Sequence, residues 1–107
     1  MIGQYRINNN ENTHHGAHGF VGSNLTQLLR HKGHVAFPLS RRDELDLMEI
    51  NSVRRTFQEL ATDAIFNCAA HVGSVHYVMK NTATVAHHNS QMVLNLHKAV
   101  SEVRPDA

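Results

Sequence analysis

Three glycines spaced three residues apart, Gly16-Ala-His-Gly19-Phe-Val-Gly22, run straight into an apolar helical face, and that pairing constrains the fold more than any other part of the chain. The first glycine permits a tight strand-to-helix turn. The second lets an anionic group approach the main chain, and the third lets the following helix pack closely on a sheet. Unpaired N–H groups and the positive dipole end at the helix start favour phosphate there. The stretch reads as a turn that holds a dinucleotide pyrophosphate.

Downstream, two hydrophobic periods alternate. Val21, Leu25, Leu28 and Leu29 recur at helical spacing and predict a first helix that stops near Gly33. Val35 to Leu39 predicts a short strand with Pro38 near its end. Ile50, Val53, Phe57 and Leu60 predict a second helix, and Ala64-Ile-Phe-Asn-Cys-Ala-Ala70 a buried strand. A long helix is predicted over roughly residues 84–103, with Val85, Met92, Val93, Leu96, Val100 and Val103 inward and Pro105 at its end. This alternation predicts an α/β fold, a partial doubly wound parallel sheet with helices on both faces and ligands beyond the carboxyl ends of the strands. The glycine turn, Ser40-Arg-Arg-Asp43 and Ala69-Ala-His-Val-Gly-Ser74 all fall at that edge.

The first fifteen residues differ from the rest. Asn8-Asn-Asn-Glu-Asn-Thr-His-His15 is polar throughout, so residues 1–15 are set apart from a cofactor-binding domain over 16–107. The first strand is therefore atypical. Either residues 2–7 replace it ahead of a polar insertion, or residues 11–15 form a poor strand, or the N-terminus is foreign to the domain. A chain of 107 residues holds one domain. A formal net charge of +1 gives no reason to expect nucleic acid or a membrane as partner, and the single Cys68 suits a reducing, cytoplasmic compartment and a buried strand position.

The chain resembles the extended short-chain dehydrogenase/reductases that act on nucleotide sugars, the NAD-dependent epimerase/dehydratase group, most closely the GDP-L-fucose synthases. The matching residues are Gly16 to Gly22, Arg42-Asp-Glu-Leu-Asp-Leu47, Ala69-Ala-His-Val-Gly-Ser74, and Asn89 with Asn95. The resemblance implies a Rossmann-type domain in which Gly16, His18, Gly19, Phe20, Val21 and Gly22 hold the pyrophosphate. The Arg42-Asp-Glu-Leu45 segment reaches the adenosine end, Asp46 and Leu47 beside it are cofactor-binding, and Ala69 and Ala70 border the nicotinamide side. It further implies NADPH-dependent epimerisation and reduction of a GDP-4-keto-6-deoxymannose, with a nucleotide sugar as substrate of the full-length relative. Arg41 and Arg42, about twenty residues after the glycine turn, match the position where arginine accommodates a 2′-phosphate, so NADP(H) is expected over NAD(H).

The family's catalytic Tyr-x-x-x-Lys pair does not occur in these residues; Tyr77-Val-Met-Lys80 is one residue too short, and Tyr77 is expected in a loop or as packing. Binding without turnover, and no catalytic residue, is therefore expected of this fragment. The alternative is a structural or oligomerisation unit that docks a partner, or a second copy, through the long helix. His14, His15 and His18 lack the carboxylate or cysteine that would complete a metal site, so no metal is expected. His71 reads either as a contact to nicotinamide or sugar or as an exposed loop residue. Asn89, in an apolar stripe, reads as bonded either to the cofactor edge or to backbone.

Overall fold

Helix α1 (Phe20–His31) starts directly behind Gly19, whose extended backbone is its N-cap. The fold is that of a computed structural model, which describes residues 2–6, 19–40 and 44–107. α1 ends where glycine permits it: Gly33 sits at φ +83°, and the N–H groups of Gly33 and His34 close back on the carbonyls of Arg30 and Leu29. The expected inward face of α1 needs correction. Gly22 and Thr26 are its buried residues, whereas Val21 and Leu28 are 61% and 50% exposed. α1 packs on β2 (Val35–Leu39) and β1 (Ile2–Arg6), and a helix lying on so few strands covers only a narrow stripe. Small residues in that stripe permit close approach. The Thr26 hydroxyl donates to the Gly22 carbonyl at 2.6 Å, so its burial leaves no orphan.

The sheet corrects the expected parallel arrangement. Its order is β2-β1-β3, with β3 formed by Ala64–Phe66, and β1 runs antiparallel to both neighbours. Ile2 pairs with Leu39 and Arg6 with Val35, so β1 ends at the opposite edge from the start of α1. A tight glycine turn would end a strand beside the start of its helix, and β1 does not end there. Pro38 lies within β2, which it can do because β2 is an edge strand. β3 is shorter than the apolar run from Ala64 to Ala70 implies. The Asn67 side chain accepts from the Ala69 N–H at 2.9 Å and turns the chain out of the ladder.

The core lies between α2 (Ile50–Glu59) and α4 (Thr82–Val103). Val53 and Phe57 are fully buried there, joined by Leu45, Leu47, Leu96 and Ala99, with Ile65 and Ala69 packed against them. Val93, expected inward, is 43% exposed because α4 turns Asn95, Leu96 and Ala99 toward α2 instead. Arg104, just past α4, donates from Nε to the Phe57 carbonyl at 2.9 Å and from Nη2 to the Gln58 carbonyl at 3.1 Å, neutralising the carboxyl end of α2. Residues expected to be loop form α3 (Val75–Lys80), which Ser74 starts by accepting the Tyr77 N–H; Tyr77 is therefore helical.

Candidate functional site

At the start of α1 no side chain among the described residues caps the helix, and the first-turn N–H groups of an α-helix have no partner within it. Gly22 is buried, while Phe20 is 86% exposed and Val21 lies open beside it. An anion approaching Gly19 meets backbone donors and no carboxylate on the first turn. The residues present thus fit a phosphate group. Gly16, His18, Arg41 and Arg42 lie outside the described residues, as do His14, His15 and Asp43.

The second stretch, residues 44–48, follows β2. Glu44 takes φ +65°, uncommon for a residue with a side chain, and its carbonyl accepts the Ser52 hydroxyl at 2.9 Å. Ser52 Oγ also accepts the Asp46 N–H at 3.0 Å, and Asp46 Oδ1 accepts the Met48 N–H at 2.9 Å. The Leu47 side chain is buried in the core and its carbonyl is held by Asn95 Nδ2 at 2.8 Å, so Leu47 anchors the loop.

The third stretch, residues 67–74, leaves β3. Ala69 is half-buried and Ala70 exposed. His71 is half-buried between α3 and α4, its Nε2 3.0 Å from the Tyr77 hydroxyl and its ring 4.8 Å from that of His88. His87, next to His88, is exposed. Asn89 spends its amide on the His71 backbone, accepting from N–H at 2.6 Å and donating to C=O at 3.0 Å. A β-carbon on Gly73 would sit 2.5 Å from Tyr77 Cδ1, so the aromatic ring requires glycine beneath it. Cys68 is a half-buried free thiol.

α4 thus brings the second and third stretches onto one support, while α1 packs on the strands instead. Ser52, Tyr77 and His88 were not singled out for these roles by sequence reasoning. Ser52 interrupts no apolar period, and only contact across elements reveals it. Arg54, on the polar side of α2, reaches Glu102 of α4 at 2.7 Å. That hydrogen bond raises the Arg54 pKa and lowers that of the Glu102 carboxyl. A cavity of about 270 Å³ on the other flank of α4, lined by Ile65, Asn67, His97 and Arg104 among others, contains none of the candidate residues. Among the described residues no group of histidine, cysteine and carboxylate side chains is arranged to hold a metal ion, and no helix is long and apolar enough to cross a membrane.

Residues 15–107 match the NAD dependent epimerase/dehydratase family, so the chain belongs to that family, which implies a Rossmann-like α/β fold and a nicotinamide dinucleotide cofactor. A relative is the GDP-mannose 3,5-epimerase of Arabidopsis thaliana, 23% identical over an alignment 96 residues long that covers 78% of this chain and 26% of that protein. The chain spans about a quarter of that curated relative's length. No solved structure matches it.

Proposed function

We propose that this member of the NAD dependent epimerase/dehydratase family is the NADP(H)-binding part of a nucleotide-sugar epimerase/reductase resembling the GDP-L-fucose synthases. The observation that carries the reading is the uncapped start of α1 behind Gly19, within a family match that begins just ahead of the glycine turn. The bound nicotinamide supplies or accepts hydride; the residues of this chain bind and orient. Gly16 to Gly22 receive the pyrophosphate, Asp46 and the backbone of Leu47 face the adenosine, and Ala69 and Ala70 line the nicotinamide side. Arg41 and Arg42 take the 2′-phosphate, since guanidinium matches its charge and fork geometry. A GDP-sugar is the substrate class, in keeping with the name of the Arabidopsis relative. We assign the cytoplasm as its compartment and binding, not turnover, to these residues.

The test is a pair of isotherms, NADPH and NADH, on the chain and on Arg41→Ala/Arg42→Ala at fixed ionic strength. Tighter binding of NADPH, lost selectively in the double variant, is the expected result; equal affinities in the parent reject NADP(H), and no binding of either rejects a dinucleotide site. A second reading is favoured by one observation: α4 leaves Leu94 63% exposed beside Val93, a face on which a second copy can dock. Concentration-dependent sedimentation in a chain that binds no dinucleotide would select it.

A further inference from the structure

Two asparagines on α4 give their side-chain amides to the backbones of two different loops. Asn89 makes a two-bond clamp on His71, and the pairing fixes its orientation, because a flipped amide would set N–H against N–H. Asn95, only 7% exposed, donates to the Leu47 carbonyl while its Oδ1 accepts from Gln91 Nε2 at 2.8 Å. Six helical residues separate the two, about 9 Å along the axis and about 120° around it, so one rigid helix can reach loops on different flanks.

We propose that Asn89 and Asn95 are positioning residues for a dinucleotide, fixing the spacing between the loop at its adenosine end (44–48) and the loop at its nicotinamide end (67–74). The inference rests on the dinucleotide reading above. Core packing alone does not require an amide at position 95, where an aliphatic side chain fills space without hydrogen-bonding demands. The amide binds one backbone carbonyl, and that carbonyl belongs to the loop held from its other side by Ser52 at the positive-φ Glu44. The second loop is likewise held twice, by Asn89 on the His71 backbone and by Tyr77 on its ring. Each loop thus has one tie to its own neighbourhood and one to the shared helix.

The probes are NADPH, followed by nicotinamide fluorescence, and adenosine 2′,5′-bisphosphate, which carries the adenosine end alone, followed by calorimetry. Asn95→Ala is expected to weaken both by about tenfold, and Asn89→Ala to weaken NADPH by about tenfold while leaving the bisphosphate within about twofold. Asn89→Asp keeps the acceptor for the His71 N–H but loses the donor, and is expected to fall between Asn89→Ala and the parent. Where Asn95→Ala loses its native circular dichroism, Gln91→Ala, which frees only the oxygen of Asn95, is expected to weaken both probes by about threefold. Equal losses of the two probes in Asn89→Ala, or parent-like affinities in every folded variant, overturn the inference and leave the dinucleotide reading standing. A parent chain that binds neither probe overturns the inference, and one that also fails to bind NADH overturns the dinucleotide reading with it.

Discussion

The two halves of the molecule are built to different standards. Between α2 and α4, Val53 and Phe57 are sealed from solvent and every large inward residue finds a neighbour. Around α1 and β2, Ala36 is the one buried apolar side chain among the described residues, while Phe20, Val21, Leu28 and Phe37 stand exposed. On the proposed function the difference separates two tasks. The packed half supplies stability and the anchored loops, and the open half presents the backbone donors of the α1 start, which a covered surface could not offer to a ligand.

The sharpest way to break this comparison is to remove one aromatic from each half. Phe57→Ala is expected to cost about 3–5 kcal/mol through lost burial and the cavity left behind, a large part of a typical domain's 5–15 kcal/mol. Phe20→Ala, at 86% exposure, is expected to stay within about 0.5 kcal/mol. Urea unfolding followed by circular dichroism measures both. Similar losses would show that the halves share one core.

A finer comparison uses two arginines that each bond backbone across elements. Arg104 reaches the carbonyls of Phe57, Gln58 and Leu60, and Arg104→Ala is expected to cost about 1–2 kcal/mol. Arg30 donates to the Ala36 carbonyl at 2.9 Å, and Arg30→Ala is expected to cost about 0.5 kcal/mol or less, given the exposure of that helix side. A reversal of this order in the same melts would place the stability in the α1 half.

The smallest effect is that of pH on the tie between α2 and α4. The Arg54 hydrogen bond holds the Glu102 carboxyl below its ordinary value, so the stabilisation is fully present above that value of 4.5 and is lost as pH falls through the lowered value. Arg54 is raised, so its part persists through neutrality and is lost only in strong alkali. Both groups are largely solvated, which keeps the effect slight and sensitive to salt. Urea midpoints between neutrality and acid, for the chain and for Glu102→Gln, should converge as the carboxyl protonates; a constant gap between them removes the assignment.

Most helices were legible because their signals are local. The stop of α1 follows from Gly33 and the span of α2 from Ile50, Val53 and Phe57. Pro105 lies just beyond the end of α4, but α3 was missed because six residues carry too little periodicity to stand out from the loop around them. For the candidate site, the sequence indicated the three stretches but not their anchors. Ser52 and Gln91 look like ordinary polar residues until the elements meet, and Asn89 has one meaning facing a ligand and another facing the His71 backbone.

By itself, then, the sequence determined family membership and the alternation of helices with strands, since both depend on residue type at short spacing. Only the tertiary structure decided that β1 lies antiparallel between β2 and β3, that α1 buries Gly22 and Thr26 instead of Val21 and Leu28, and that α4 ties two loops together. The reason is physical. Periodicity shows that a face is apolar, but not which neighbour covers it; strand direction depends on the free edge and on a connection long enough to reach it; and a hydrogen bond between residues far apart in sequence exists only once packing has brought them together.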